Sequence, residues 1–286
     1  MKTGLVLEGG AMRGLFSCGV IDVLLENHIP FDGGIGVSAG ACFGCNYKSK
    51  QAGRALRYNK RFCNDPRYSS IRSLIFTKNL FNAKFCYHTL PEQLDILDFE
   101  MYKKNPMEFW AVASDLGSGK PVYEKLETLK YDELEFMRAS ASMPLVSEPV
   151  NYKGLKLLDG GMTDSIPLKF FQSIGYEKNV VILTQPADYV KKPNKLGGIM
   201  KLVYHKYPAI IDAMKRRHEV YNEETRYVFE QQKLGNTLVI CPDSDLKISR
   251  TCKDPDELQR VYEIGRLKAK SMLEKIREFC RKHSAE

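Results

Sequence analysis

The sequence predicts an α/β fold in which parallel strands lead into loops and helices at their carboxyl ends. Two observations carry this. Gly4–Glu8 is a short apolar run that passes at once into the glycine-rich turn Gly9-Gly10-Ala11-Met12-Arg13-Gly14 and then into a helical pattern. A second short strand ends near Val37, and Ser38 starts a small-residue helix, Ala39-Gly40-Ala41-Cys42.

The remaining elements follow in order. Residues 15–27 place apolar side chains at 15, 16, 20, 21, 24 and 25, which is helical spacing. Residues 48–90 are basic and mixed, and read as helices with loops. Phe109–Ser114 reads as a buried strand, and residues 131–142 as a helix stopped by Pro144. Pro149–Leu158 reads as a hairpin turning near Lys153-Gly154 that delivers Asp159-Gly160-Gly161. Val180–Thr184 and Thr237–Cys241 are further strands, and residues 255–283 one charged amphipathic helix. Residues 196–214 interleave Leu196, Ile199, Met200, Leu202, Val203, Tyr204, Ile210, Ile211 and Met214 with lysines. A helix packed on the core is favoured there over one that faces a membrane or covers the site. Tyr189–Lys195 is the most linker-like stretch, but no domain boundary stands out. Residues 1–286 therefore read as a single domain, with a motif-bearing core over about 4–185 and a C-terminal extension, 186–286, packed on it.

Composition excludes several classes. Of 286 residues, 43% are hydrophobic and 27% charged, which is an ordinary globular balance. No apolar run approaches the ~18 residues of a spanning helix. The short run ending at Glu8 lacks a signal-peptide core, so export is not expected and a cytoplasmic location is. Eight irregularly spaced cysteines read as free thiols. Cys42 and Cys45 have no second pair to complete a metal site, and no metal is expected. The net charge of +8 is uneven: residues 48–84 carry ten Lys/Arg against Asp65, and residues 189–218 eight against Asp212. The rest of the chain is net acidic. Such segments suit peripheral contact with an anionic membrane surface. Nucleic acid is not an expected partner, since no binding motif accompanies the charge.

Three short patterns carry chemistry. Gly36-Val37-Ser38-Ala39-Gly40 fits G-x-S-x-G, a serine on a strand-to-helix elbow whose neighbours must be small because backbones approach closely there. The helix that follows aims its amides at the reacting centre. Gly9–Gly14 is not a dinucleotide fingerprint, because Ala11 fills the slot of the second glycine. It is not a phosphate-binding P-loop, because Leu15 and Phe16 stand where Lys and Ser/Thr must be. Successive amides of such a turn can hold an anion, and in an acyl hydrolase that anion is the tetrahedral oxyanion. Asp159-Gly160-Gly161 alone is a common turn. However, none of the five histidines (28, 88, 205, 218 and 283) has a strand-end context suited to a relay. A carboxylate within reach can serve as base instead, and Asp159 is the best candidate.

Together and in this order, the three patterns resemble the patatin-like phospholipase family over roughly residues 4–185, where G-G-x-x-R-G precedes G-x-S-x-G and then D-G-G or D-G-A. The stretch Arg138-Ala-Ser-Ala-Ser-Met-Pro144, with Pro149, also looks like the family's segment before its aspartate. Small members without extra domains are common in bacteria. The resemblance implies a three-layer α/β fold with a mostly parallel central sheet and helices on both faces. It implies ester hydrolysis of (lyso)phospholipids or other glycerolipids without metal or cofactor. It makes Ser38 the nucleophile, Asp159 its base, and the amides of Gly9, Gly10 and Ala11 the oxyanion donors. Arg13, Gly14, Gly36, Gly40, Gly160 and Gly161 support the motifs. Many members have glycine where Ala11 stands. Alanine keeps the amide but restricts the backbone to ordinary angles. For Arg13, pinning the loop through backbone carbonyls is favoured over contact with substrate phosphate. The competing readings are a soluble carboxylesterase or thioesterase, and a catalytically silent lipid-binding module.

Overall fold

A computed structural model describes residues 1–194 and 197–281. Lys195 and Leu196 of the basic segment, and residues 282–283 of the expected last helix with His283, lie outside the described residues. The chain runs β1 (Thr3–Leu7), α1 (Gly14–Glu26), β2 (Gly33–Val37), α2 (Ala39–Lys48), α3 (Arg54–Phe62) and α4 (Ile71–Thr77). A π-helical segment (Phe85–Leu94) precedes α5 (Phe99–Lys104), β3 (Glu108–Asp115), β4 (Pro121–Lys125), α6 (Tyr131–Ser140), β5 (Val150–Tyr152) and β6 (Leu155–Asp159). Then come α7 (Leu168–Ser173), β7 (Lys178–Ile182), α8 (Gly197–Val203), α9 (Pro208–Lys233), β8 (Thr237–Ile240), α10 (Pro255–Ser271) and α11 (Leu273–Cys280).

The eight strands form one sheet in the order β5-β6-β3-β2-β1-β7-β8, with β4 also paired to β3. The strands β3, β2, β1, β7 and β8 are mutually parallel, as expected. The antiparallel part is β4, β5 and β6. The β3–β4 and β5–β6 connections are too short for parallel crossovers. The β5–β6 turn is Lys153-Gly154, both at positive φ (46° and 81°), which is the twist a two-residue hairpin prefers.

Side chains alternate across the sheet, so both faces need cover. Leu5 and Leu7 face one way, into a core with α1, α3 and α10; Val6, Ile35, Val37 and Val181 face the other, against α7 and α9. The C-terminal extension packs intimately: a Cβ on Gly19 of α1 would meet the Tyr262 carbonyl of α10 at 2.0 Å, and one on Gly265 would meet the Phe16 carbonyl at 2.0 Å. The single helix expected over 255–283 is instead broken at Met272 (φ −104°, ψ 2°), which turns Ile276 and Cys280 of α11 into the core.

Of the stretch 196–214, residues 197–203 form α8 and residues 208–214 begin α9. Met200, Tyr204, Ile210, Ile211 and Met214 bury against Leu116, Leu158 and Met162. The other face of α8 stays open, with Ile199, Leu202 and Val203 52%, 78% and 52% exposed. No described helix is long and apolar enough to cross a membrane.

Candidate active site

One edge of β3 brings the candidate residues together. Along that edge β2 pairs in parallel up to Val37↔Val112, and β6 pairs antiparallel from Asp159↔Ala113, while β4 occupies the opposite edge of both Val112 and Ala113. The carboxyl ends of β2 and β6 therefore abut. Ser38 follows one and Asp159 ends the other. Ser38 Oγ donates to Asp159 Oδ2 at 2.6 Å.

The elbow at Ser38 is strained (φ 55°, ψ −122°), a conformation that costs on the order of 1–3 kcal/mol in a non-glycine residue. Small neighbours make it possible. A Cβ on Gly36 would meet the Gly40 carbonyl at 2.4 Å, and one on Gly40 the Leu7 carbonyl at 2.5 Å. The Ser38 amide donates to Ser140 Oγ at 3.0 Å, and the first amides of α2 point back toward the serine.

Asp159 is buried and well held. Its Oδ1 accepts the Gly161 amide at 2.8 Å, its own amide donates to the Ser142 carbonyl at 2.8 Å, and its carbonyl accepts Ser114 Oγ at 2.8 Å. Burial raises its carboxyl above the usual range; the Ser38 hydrogen bond, the Arg217 charge, the Gly161 amide and Arg250 oppose that rise. Arg217 of α9 also donates its Nε to the Gly161 carbonyl.

The glycine turn lies against the elbow, where a Cβ on Gly9 would sit 3.1 Å from Ser38 Cβ. Among the described residues no protein acceptor takes the amides of Gly9, Gly10 or Ala11. Ala11 does not keep to ordinary angles, as expected of alanine; it adopts φ 49°, the region glycine enters freely. Nor does Arg13 pin the loop through carbonyls. Its Nε is buried with no hydrogen-bond partner among the described residues. The turn is held instead by Thr184, whose Oγ1 donates to the Gly9 carbonyl at 3.0 Å, and by the buried Glu8. Glu8 accepts the Thr184 amide at 2.6 Å and the Tyr221 hydroxyl at 2.8 Å.

Two cavities meet at Ser38. One, of about 120 Å³, is mainly apolar and includes Phe43, Tyr58, Tyr87 and Leu90. The other, of about 360 Å³, includes Arg13, Lys191, Arg217 and Arg250. Three of the four described histidines are engaged elsewhere, and the fourth, His28, lies exposed just past α1: His88 pairs with Glu135 at 3.0 Å, and His205 and His218 bond the carbonyls of Leu202 and Lys215. No described cluster of His, Cys, Asp or Glu could hold a metal. Burial pushes the Cys42 thiol up to about 12 and Cys45 to about 11.

Sequence reasoning had not singled out Ser140, Glu8, Thr184, Arg217 or Arg250. Ser140 carried a signal, because it lies in the Arg138–Pro144 segment. Arg217 sits in a run of three cations, of which only the fold tells which faces inward.

The sequence model of the patatin-like phospholipase family matches residues 5–171, and that of a domain of unknown function (DUF6363) matches residues 207–281. The chain is 28% identical over 284 residues to the uncharacterized protein YjjU of Escherichia coli, covering 93% of this chain and 75% of that one. It is 28% identical over 183 residues to the lysophospholipase nte1 of Aspergillus fumigatus, covering 60% of this chain but only 11% of that much longer protein. The structure of VipD from Legionella pneumophila aligns over 96% of this chain and 67% of its own, with a TM-score of 0.47 and 12% identity. With its family model spanning more than half the sequence and an eight-stranded sheet flanked by helices, the chain belongs to the patatin-like phospholipase family and has its α/β fold.

Proposed function

We propose that this protein hydrolyses carboxylic esters of (lyso)phospholipids or related glycerolipids through an acyl-serine intermediate, with Ser38 as nucleophile and Asp159 as base. Family membership supports lipid hydrolysis at the coarse level. The observation that carries the finer reading is the 2.6 Å bond from Ser38 Oγ to the buried Asp159 carboxylate at a strained elbow. The lysophospholipases among its relatives point the same way.

Each step has a group to perform it. Asp159 takes the Ser38 proton as Oγ attacks the ester carbonyl, and the raised pKa makes it a better base than an ordinary carboxylate. The amides of Gly9, Gly10 and Ala11 receive the oxyanion. The intermediate collapses, protonated Asp159 returns its proton to the leaving alkoxide, and the acyl-serine remains. Asp159 then deprotonates a water that attacks the acyl carbonyl. The second oxyanion collapses, releasing the fatty acid and restoring Ser38 with the proton held by Asp159.

The residues from 186 onward belong to this catalytic unit in our reading, since Arg217 and Tyr221 of α9 reach Gly161 and Glu8. Contact with an anionic lipid surface fits the basic segments 48–84 and 189–218. Each carries a helix with bare apolar side chains: Ile71, Ile75 and Phe76 on α4, and Ile199, Leu202 and Val203 on α8. Leu80, just past α4, and Met200, on the buried side of α8, line the larger cavity. A bare apolar rim suits a lipid interface better than a soluble acyl ester.

The test is labelling by a fluorophosphonate probe together with hydrolysis of a lysophospholipid. Ser38→Ala is expected to abolish both, and Asp159→Asn to abolish turnover. Full turnover in either variant rules out the pair.

A further inference from the structure

The larger cavity beside Ser38 carries more positive charge than ester hydrolysis requires. Arg13 comes from the glycine turn, Lys191 from the loop after β7, Arg217 from α9 and Arg250 from the loop after β8, and all four line the same space of about 360 Å³. Two carboxylates line it as well, and both are already engaged. Glu8 accepts from Thr184 and Tyr221, and Asp159 from Ser38 and Gly161. None of the four cations forms an ion pair with a described carboxylate.

Their remaining partners are neutral. Arg217 spends only its Nε, on the Gly161 carbonyl. The Lys191 ammonium lies 3.9 Å from the centre of the Tyr221 ring. Arg13 Nε is buried and finds no hydrogen-bond partner among the described residues. The like charges are crowded enough to act on one another. Burial, and after it the Arg217 charge, push the Lys191 ammonium down to about 8; Arg13 and Arg250 add to the push and Glu8 opposes it. Four cations against two carboxylates leave the cavity with an excess of positive charge, which is costly unless a ligand supplies the anion. Guanidinium groups with free N–H edges suit the oxygens of a phosphate.

The second cavity decides what kind of molecule carries that phosphate. It is mainly apolar, and it shares Ala11, Ser38 and Met143 with the first. An ester held at Ser38 would thus extend a hydrocarbon arm to one side and an anionic arm to the other. We propose that Arg13, Lys191, Arg217 and Arg250 form a phosphate-binding subsite that selects glycerolipids with a phosphate-bearing head group. Two of its four cations, Arg217 and Arg250, belong to the region matched as a domain of unknown function, residues 207–281, which gives that region a role. The subsite rests on the Ser38–Asp159 reading given above.

The test compares two soluble esters with one acyl chain, 1-octanoylglycerol 3-phosphate and 1-octanoylglycerol, below their micellar concentrations. The wild type is expected to favour the phosphate ester in kcat/KM by about 10-fold or more. Lys191→Gln, at a residue that is not among the influences on Asp159, is expected to cut that preference roughly 10-fold, the range for a lost charge-assisted hydrogen bond; Arg250→Gln also removes a charge that acts on Asp159, so its equal cut is read in the ratio of the two esters and not in either rate alone. Lys103→Gln, an exposed cation on α5, is expected to leave it unchanged. Thermal unfolding checks that each variant folds. A wild-type preference near one, or variants that slow both esters alike, overturns the subsite; if the neutral ester is still cleaved in a Ser38-dependent way, the hydrolase reading stands. No turnover of either ester and no labelling of Ser38 overturns both. Inorganic phosphate is expected to compete with the phosphate ester. If it instead alters neutral-ester turnover without competing, the cavity serves a free phosphate ion and the head-group reading is wrong.

Discussion

The hydroxyl of Ser140 accepts the backbone amide of Ser38 at 3.0 Å, so the end of α6 supports the strained elbow of the candidate nucleophile. Ser140 is fully buried. Losing its oxygen leaves a buried amide unpaired, which costs about 1–3 kcal/mol. Ser140→Ala is therefore expected to lower kcat by about 10-fold with KM changed less than about twofold, and to lower the melting temperature by several degrees. Steady-state kinetics and a thermal melt check this; a loss confined to KM would place Ser140 at the substrate rather than behind the elbow.

The Asp159 carboxyl is raised by burial and held back by the Ser38 bond, Arg217, the Gly161 amide and Arg250. Base catalysis needs its ionised form, so kcat/KM is expected to rise with pH through a value above the ordinary ~3.9 of aspartate. Arg217→Met removes a lowering influence and is expected to move that limb to higher pH. The same shift makes a stability claim. A carboxyl whose folded pKa lies above its unfolded value favours the native state while protonated. That contribution is lost as pH rises from the unfolded value through the folded one. Asp159→Asn is thus expected to be inactive yet at least as stable as the wild type at pH 7, as read by urea denaturation.

Gly160 and Gly154 separate two kinds of glycine. A Cβ on Gly160 would come within 2.2 Å of the Val112 carbonyl, where β6 meets β3. Gly160→Ala forces two backbones apart at the point that aligns Asp159 with Ser38. It is expected to abolish activity and to destabilise by about 1–3 kcal/mol or more. Gly154, at φ 81° in the β5–β6 turn, has nothing within 4 Å. Gly154→Ala is expected to cost only about 1–2 kcal/mol of backbone strain and to keep activity. Chemical denaturation and an esterase assay on both variants decide the point.

Surface contact is expected to need both charge and the bare apolar helices. Binding to vesicles containing phosphatidylglycerol should exceed binding to phosphatidylcholine vesicles and fall with added salt. Phe76→Asp on α4 and Leu202→Asp on α8, at side chains 77% and 78% exposed, should weaken it several-fold in co-sedimentation without unfolding the protein. Binding indifferent to head-group charge and to both substitutions would remove the membrane reading.

The fold class, the strand–turn–helix units at Gly9–Gly14 and Gly36–Gly40, the Lys153-Gly154 hairpin and the identity of the candidate pair are legible along the chain. Those features are local. Small residues are required where backbones touch, apolar runs mark buried strands, and positive φ marks a two-residue hairpin. How the pair meets is not legible there, because the register that sets Val37 against Val112 and Asp159 against Ala113 is a property of three strands together. The break at Met272 likewise answers to the core that α11 must cover, with no proline or glycine to announce it. The resemblance favours Arg13 as a clamp on its own turn, since family members act on neutral esters as well. In the fold it faces a cavity with Lys191, Arg217 and Arg250, residues about 180–240 positions away in sequence. Charge along a chain is additive, but charge around a cavity depends on which side chains the packing turns inward, and no local pattern records that.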